Sequence, residues 1–362
     1  MKFIVTAGGQ GKKLWPYSRS AFPKQFQPLI DGKSLLQINI EVLLKSYSTK
    51  DIFISTKRKY ADIVYEQCPQ LDKSNFIIEP DIAKNRGPAE GLAFLHLDMK
   101  YPDEPFMIVQ ADDLRIPDTE FINTIKIMEN IVKKDKKYIT GGIKTENPVM
   151  GNDLIEIGDR VEGISGNGDI EVYKITSFLG RSSDYYKTKE ILLSKRAVLH
   201  CNHGCWYTGL MLDAYKKYRP DWYESLMKIK KYLEKGNSDR EIEEIYSSME
   251  KGPTEEVTKN ILYDSYVVIL PFRWVDIGTW TSYYEYFSKD GEVYSDGKLI
   301  SINSKNCLIK VSDRNKLVVI QGLEDLMVID SGDSLLIMLK KDSGKVNDIV
   351  DEIESKGLAQ YT

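Results

Sequence analysis

A short apolar run, Phe3-Ile4-Val5-Thr6-Ala7, ends in Gly8-Gly9-Gln10-Gly11-Lys12-Lys13-Leu14. Glycines at a turn let the backbone approach a ligand closely and aim its N–H groups at an anion. Lys12 and Lys13 add positive charge at the same turn. This chemistry suits the phosphates of a nucleotide, with Gly8, Gly9, Gly11 and Lys12 as binding residues. It is not a P-loop, because the four-residue gap and the Gly-Lys-Ser/Thr ending are absent, and the third glycine of G-x-G-x-x-G is missing. A second apolar run, Phe106-Met107-Ile108-Val109, ends in Gln110-Ala111-Asp112-Asp113. A carboxylate at a strand's end beside a phosphate-binding turn is a good ligand for Mg²⁺.

Both motifs need a frame, and the surrounding sequence supplies one. Ser34–Lys45 has apolar residues at helical spacing, Asp51–Ser55 reads as a strand, Arg58–Gln67 as a helix, Asn75–Glu79 as a strand and Pro88–Met99 as a helix. Strands alternating with helices predict βαβ units with helices on both faces of a sheet. Ligands in such sheets bind at the carboxyl ends of strands, the edge from which Gly8 and Asp112 emerge. The expected fold class is α/β and Rossmann-like, with a mixed, mostly parallel sheet. Asp169–Phe178 and His200–Thr208 read as further strands, and residues 214–246 as a charged, helix-rich surface. Beyond Asp290-Gly291 the pattern changes to short strands near 299–301, 307–310, 317–320, 326–329 and 335–338, followed by a helix over Lys345–Ser355. Regular short strands predict a small β-solenoid or sandwich. The expected domains are therefore 1–290 and 291–362.

At 362 residues the chain is long enough for two domains. Its 50 basic and 54 acidic residues leave a formal charge of −4, which argues against general binding to nucleic acid or anionic membrane. Any anionic ligand must be held by local basic groups. No apolar run is long enough to span a bilayer, and the first strand enters the glycine turn without room for a secretion signal. Four cysteines, Cys68, Cys201, Cys205 and Cys307, form no dense disulfide framework and fit a reducing, cytoplasmic setting. Cys201, His203 and Cys205 alternate as one face of a strand would, with His200 on the other. No Cys-x-x-Cys or His-x-x-x-His pair completes a set of four zinc ligands there.

The residues after the glycine turn are more specific. Leu14-Trp15-Pro16-Tyr17-Ser18-Arg19 is followed by Pro23-Lys24-Gln25-Phe26. With the turn, they resemble the sugar-1-phosphate nucleotidyltransferases, whose signature is Gly-Gly-x-Gly-Thr-Arg-Leu and then Pro-Lys, in the form seen in mannose-1-phosphate guanylyltransferases. Ile78-Glu79-Pro80 and Lys84-Asn85-Arg86-Gly87-Pro88-Ala89 resemble that family's Glu-Pro and Lys-Asn-Thr-Ala-Pro-Ala. Ala111-Asp112-Asp113 resembles its Pro-Ala-Asp-His, and Trp274-Val275-Asp276-Ile277-Gly278-Thr279-Trp280 its Trp-x-Asp-x-Gly-x-Trp. Asn202-His203-Gly204 resembles its Asn-Ser-Gly, and the stretch Gly322–Asp330 its Gly-Leu-Glu-Asp-Leu-Val-Val-Val-Asp.

The resemblance implies a catalytic domain followed by a small left-handed β-helix. It implies a reaction of a nucleoside triphosphate, GTP in the guanylyltransferase form, with a sugar 1-phosphate such as mannose 1-phosphate. The products would be a nucleoside diphosphate sugar and pyrophosphate. Lys13, Lys24, Asp112 and Asp276 would be catalytic, with Asp112 and Asp276 also holding Mg²⁺. Glu79, Asn85 and Pro88 would lie against the nucleotide, and Asn202 and Gly204 against the sugar phosphate. Arg181, in Phe178-Leu179-Gly180-Arg181-Ser182, stands where the family has the lysine of Phe-x-Glu-Lys-Pro, and a guanidinium can still bind phosphate bidentately. Gly180 replaces the glutamate of that motif, Lys13 an arginine, and Met150–Ile155 departs from Thr-Gly-Tyr-Gly-Tyr-Ile. These departures leave two other readings open, a transferase for another sugar or base and a catalytically weak subunit that senses nucleotide sugars. Open ends and edges in the C-terminal strands invite pairing, so a homo-oligomer is expected through that region.

Overall fold

In the computed structural model, which describes residues 1–9, 11–149, 152–163, 170–236 and 239–362, the chain opens with alternating strands and helices. These are β1 (Lys2–Thr6), α1 (Leu35–Leu44), β2 (Ile52–Lys57), α2 (Ala61–Gln67), β3 (Phe76–Glu79), α3 (Arg86–Lys100) and β4 (Pro105–Gln110). The apolar run of β1 is buried on both faces, as a central parallel strand must be. It pairs in parallel with β2 and with β4, and β2 pairs in parallel with β3. Helix α1 starts where a capping box predicts: the Ser34 side chain accepts from the Gln37 backbone while the Gln37 side chain returns to Ser34.

The middle of the chain departs from a purely alternating pattern. It comprises β5 (Asp113–Ile116), α4 (Asp118–Asp135), β6 (Ile139–Ile143), β7 (Leu154–Arg160), β8 (Val172–Gly180), α5 (Tyr185–Leu193), β9 (Ala197–His200) and β10 (Cys205–Tyr207). Helices α6 (Thr208–Tyr218), α7 (Pro220–Lys235), α8 (Asp239–Ser248) and α9 (Glu255–Thr258) precede β11 (Tyr266–Ile269), β12 (Arg273–Asp276) and α10 (Trp280–Phe287). The main sheet runs β11-β8-β7-β9-β6-β10-β4-β1-β2-β3. Its β4-to-β3 half is parallel, but from β10 onward the neighbours are antiparallel except β6 with β11. The sheet is thus mixed, and "mostly parallel" holds for only one half. The pairing of β11 with both β6 and β8 curls the other half back on itself. One core cluster lies between this sheet and α3, α6 and α7, where Leu92, Leu95, Tyr215, Trp222 and Leu226 are buried together.

The continuous strand expected over His200–Thr208 is absent. The chain leaves β9 at His200, turns through Asn202 at φ +43°, and re-enters the sheet as β10 before α6 begins at Thr208. Asn tolerates this left-handed backbone better than most residues. The turn also cancels the expected alternation of Cys201, His203 and Cys205 on one face. Of the residues named in the sequence motifs, Gln10, Met150, Gly151 and Asp169 lie outside the described residues.

The last segment contains β13 (Val293–Ser295), β14 (Lys298–Ile302), β15 (Cys307–Lys310), β16 (Leu317–Gln321), β17 (Leu326–Asp330), β18 (Leu335–Leu339) and α11 (Val346–Ser355). They form two small sheets, β13-β15-β17-β18 and β14-β16, parallel except for β17 with β18. Leu308, Met327, Ile329, Val346 and Val350 share a buried cluster with Leu14, Trp15 and Trp280. The C-terminal strands and α11 therefore pack directly beneath the residues that follow the glycine turn. Among the described residues, no helix is long and apolar enough to cross a membrane.

Candidate active site

The register of the parallel strands brings the two motifs of the sequence together. Thr6 pairs with Gln110 across β1 and β4, and the Ala111 N–H donates to the Thr6 carbonyl at 3.1 Å. The glycine turn and Asp112 therefore leave the same sheet edge side by side. Gly11 has φ +58°, and a Cβ there would lie 3.1 Å from the Lys24 backbone nitrogen. Only glycine meets both conditions. The Gln25 carboxamide donates to the carbonyls of Ala7, at 2.9 Å, and Gly9, at 2.8 Å, fixing the turn from below. Sequence reasoning gave Gln25 no role, although it is the neighbour of Lys24 in the quoted motif.

Asp276 arrives by a different route. Strands β5 and β12 form an antiparallel ribbon in which Asp276 faces Asp113. This pairing carries a residue from late in the chain to the end of β4. Lys24 is almost completely buried, and its Nζ lies 2.8 Å from Asp112 Oδ2 and 2.9 Å from Asp276 Oδ1. Burial opposes its charge, but Asp112 and Asp276 outweigh that and raise its pKa well above the usual lysine range. For Asp112, burial favours the neutral form, yet Lys24 prevails and holds the carboxyl below its ordinary value. Burial, then Asp112, drive the adjacent Asp113 upward against the pull of Arg115. Asp113 accepts from Trp274 Nε1 at 2.8 Å. Arg115, buried behind it, donates to Asn39 Oδ1 at 2.7 Å, Gln110 Oε1 at 3.1 Å and His203 Nε2 at 2.9 Å.

Oxygens of Asp112, Asp113 and Asp276 all lie within 4.8 Å of one another. An all-carboxylate set of this size fits a hard divalent cation. Asp112 and Asp276 keep 43% and 52% of their side-chain surface exposed, so a cation can reach them. His203 belongs to a different network. It is fully buried, and its two ring nitrogens face Arg115 and the Cys201 carbonyl.

Two cavities meet at Asp112. One, of about 420 Å³, runs along the sheet edge past Gly8, Gly9, Glu79, Asn85 and Arg86. The other, of about 550 Å³, is bounded by Gly11, Lys12, Lys13, Lys24 and Asp276. Asn85 caps α3, with its side chain accepting from the Arg86 N–H at 2.8 Å, and Pro88 is buried in the first turn of that helix. Lys12 Nζ pairs with Glu354 Oε1 at 3.1 Å.

The residues expected at the sugar phosphate are less concentrated. Arg181 Nε lies 3.1 Å from Asp153 Oδ1, so its guanidinium is already paired. The Asn202 carboxamide faces the Arg86 guanidinium and can accept from both terminal nitrogens once its oxygen is turned toward them. Arg86 also binds Glu90 Oε1 at 2.8 Å. Gly204 is explained by packing: its carbonyl accepts from Ile108 at 2.9 Å, and a Cβ would crowd the Tyr138 hydroxyl.

Glu79 makes a pH-dependent contribution. Burial pushes its carboxyl from 4.5 up to about 7, against a hydrogen bond from Tyr246 at 3.1 Å and the charge of Lys57. The folded state therefore binds more protons than the unfolded state between these values, and stability falls as pH rises through that window. Glu79→Gln cannot ionise. It is expected to melt above wild type at about pH 8, with the gap closing toward about pH 5, as read by thermal denaturation. A gap that does not change with pH would refute this account.

Residues 2–176 match the family described as nucleotidyl transferase. Residues 297–353 match the MannoseP isomerase/GMP-like beta-helix domain. A mannose-1-phosphate guanylyltransferase of Escherichia coli is 28% identical over 310 residues, covering 82% of this chain and 63% of its own length. One from Salmonella montevideo is 29% identical over 320 residues, covering 84% and 64%. The chain thus spans a little under two thirds of the curated relatives it matches. A solved mannose-1-phosphate geranyltransferase of Thermus thermophilus superposes with a TM-score of 0.83 at 22% identity, covering 98% of this chain and 99% of its own. A mannose-6-phosphate isomerase of Helicobacter pylori has a TM-score of 0.57 at 19% identity, covering 76% and 99%. At these identities the structural likeness is one of fold. The glycine turn, Lys24 and Asp112 all fall inside the residues matched to the nucleotidyl transferase family, and Asp276 is supplied from beyond them by the β5–β12 ribbon.

Proposed function

We propose that the protein transfers a nucleoside monophosphate from a nucleoside triphosphate to a sugar 1-phosphate, giving a nucleoside diphosphate sugar and pyrophosphate. GTP and mannose 1-phosphate are the proposed pair, supported by the names of the curated relatives. The observation that carries the reading is the meeting of Lys24, Asp112 and Asp276 beside the glycine turn. An oxygen of the sugar phosphate attacks the α-phosphorus in line, the bond from that phosphorus to the bridging oxygen breaks, and pyrophosphate leaves with the electron pair. No protein nucleophile is needed, because a phosphate monoester is already ionised near pH 7 (second pKa roughly 6). The protein must hold two anions in line and offset their repulsion.

The backbone of Gly8, Gly9 and Gly11, with Lys12 and Lys13, holds the triphosphate. Glu79 and Asn85 border the nucleotide, with Pro88 setting the helix entry beneath them. Lys24 has three N–H donors. Two are directed at Asp112 and Asp276, and the third is left for charge building at the α-phosphate. Asp112 and Asp276 are the residues that would hold Mg²⁺, which would supply positive charge to offset that of the phosphates. Arg181 and Asn202 are assigned to the sugar phosphate.

A second reading, another sugar or base, is favoured by the sugar side, where Arg181 is paired with Asp153 and Asn202 with Arg86. Pyrophosphate release across GTP, ATP, CTP and UTP, each with mannose, glucose and heptose 1-phosphates, tests both. GTP with mannose 1-phosphate is the expected pair, and turnover confined to another pair would move the substrate. Binding of nucleotide without turnover would favour a sensing subunit.

The division at 1–290 and 291–362 is part of the same proposal. So is a short β-solenoid in the second unit, supported by the parallel stacking of β13, β15 and β17 and of β14 and β16. Leu317 and Val319 on β16 and Leu335 and Ile337 on β18 are exposed, which supports a homo-oligomer through these strands. A sedimentation mass of a single chain would remove that part. The four buried, free thiols suit a reducing compartment such as the cytoplasm.

A further inference from the structure

Three departures from the nucleotidyltransferase motifs meet at one buried side chain. Gln110 stands where Pro-Ala-Asp-His has proline, Asp113 where it has histidine, and His203 where Asn-Ser-Gly has serine. Arg115 reaches all three. It is almost completely buried, with Nη2 at 3.1 Å from Gln110 Oε1 and 4.0 Å from Asp113 Oδ2, and Nε at 2.9 Å from His203 Nε2. Its Nη1 donates to Asn39 Oδ1 at 2.7 Å. The Asn39 carboxamide in turn donates to the carbonyls of Ala111, at 3.2 Å, and Asp113, at 2.9 Å, on either side of Asp112.

The other end of this network is the turn that presents Asn202. Gln110 Nε2 donates to the Asn202 carbonyl at 2.7 Å. The turn is therefore held at two adjacent residues, at Asn202 by Gln110 and at His203 by Arg115. Its backbone needs holding, because Asn202 sits at φ +43°, a region that residues other than glycine seldom adopt. Gln110 is only partly buried and lines the cavity that it shares with Asp112 and Arg86. The Asn202 carboxamide faces the Arg86 guanidinium of that cavity. One planar guanidinium, with its donors in a rigid fork, thus sets the spacing between the loop of Asp112 and the turn of Asn202. In-line transfer depends on such spacing, since a misplacement of about 1 Å can cost about 100-fold in rate.

We propose that Arg115 and Gln110 are positioning residues of the transfer reaction, which lock the Asn202 turn to the end of β4 and so hold the sugar phosphate in line with the nucleotide beside Asp112. This rests on the assignment above of Asn202 to the sugar phosphate. Gln110 acts through the Asn202 backbone, and Arg115 acts through Gln110 and His203. A proline in place of Gln110 would offer neither the acceptor for Arg115 nor the donor for Asn202, so the three exchanges work as one change in how the sugar side is held.

Steady-state kinetics of the full chain tests this, with the nucleotide and sugar 1-phosphate that turn over in the panel above varied in turn. Direct calorimetric binding of the nucleotide alone is measured beside it. Gln110→Leu keeps the bulk of the side chain and removes both of its bonds. It should lower kcat about 100-fold, the scale of lost alignment, while nucleotide binding stays within about twofold of wild type. Arg115→Lys keeps the charge and loses the fork, and should show the same split. The two changes combined should cost little more than the larger single loss, because the residues act as one unit. Asn202→Ala is the control and should raise the KM for the sugar 1-phosphate about tenfold, as expected for losing a hydrogen bond to a charged group. If Gln110→Leu keeps kcat within about threefold of wild type while Asn202→Ala is impaired, the inference falls and the sugar-side assignment stands. If Gln110→Leu weakens nucleotide binding as much as it lowers kcat, the network is structural only and the inference falls too. A wild-type KM in Asn202→Ala would overturn the assignment of Asn202, and the inference with it. A wild-type chain that turns over no pair would remove the transfer reading itself, and both with it.

Discussion

Asp276→Asn lowers turnover at least about 100-fold, and so does Asp112→Asn, while each variant stays folded. That factor is the scale of removing one preorganised electrostatic group from a transition state, and corresponds to about 2.7 kcal/mol of barrier. Asparagine keeps the shape of the carboxylate and removes its charge, so the β5–β12 ribbon that carries Asp276 is not disturbed. In either variant Lys24 keeps one of its two carboxylate partners, so no buried ammonium is left alone and melting should change little. The two losses are unequal in origin. Asp276 is the more exposed and would contribute mainly through a bound cation, whereas Asp112 also lines the cavity that runs past Gly8, Glu79 and Asn85. Steady-state rates with melting curves on the same preparations decide the matter, and near-normal turnover in both variants would contradict the assignment.

Trp280→Ala should cost about 3–5 kcal/mol, the range for truncating a buried aromatic. This is a large share of the roughly 5–15 kcal/mol that typically separates folded from unfolded states. Trp280 is fully buried, its Nε1 donates to the Trp15 carbonyl at 2.8 Å, and its ring meets those of Tyr17 and Tyr283 edge-on at 5.9 and 5.6 Å. It also belongs to the cluster that joins Leu14 and Trp15 to Leu308, Met327 and Val346. Its loss therefore loosens both the glycine turn and the seat of α11. Urea denaturation should show a lower midpoint with an unchanged slope, and activity should fall by more than the unfolded fraction explains. A change under about 1 kcal/mol would mean that the cluster repacks without it.

The parts of this site that could be read in the sequence are those whose signals are local. The apolar run of β1, the glycine turn and the strand ending at Asp112 each lie within a few residues, and the parallel register follows from alternation with helices. The Leu35–Leu44 helix was legible from its periodicity, and the structure adds its Ser34 cap. Less was legible where pairing is long-range. Strands β5 and β12 have four residues each and little pattern of their own, so the pairing that delivers Asp276 was not legible, and only the role of that aspartate was implied by the family resemblance. The antiparallel half of the sheet was misjudged for the same reason: β10 is a three-residue strand that returns between β4 and β6. Alternating apolar residues around Cys201 read as one strand because nothing in that pattern marks Asn202 as a left-handed turn. The terminal helix was expected, but its Asn347 and Asp351 gave no sign of lining the cavity beside Lys13 and Lys24, since an exposed polar face and a site-lining face look alike in sequence.

The central claim is that the bond between the α- and β-phosphates is cleaved and the α-phosphate passes to the sugar phosphate. The most direct measurement follows separate α-³²P and γ-³²P labels of GTP incubated with mannose 1-phosphate and Mg²⁺. The account predicts the α-label in a nucleoside diphosphate sugar and the γ-label in pyrophosphate, both dependent on the sugar phosphate. A γ-label recovered in free phosphate or on the sugar, with the α-label left in a nucleoside diphosphate, would contradict it.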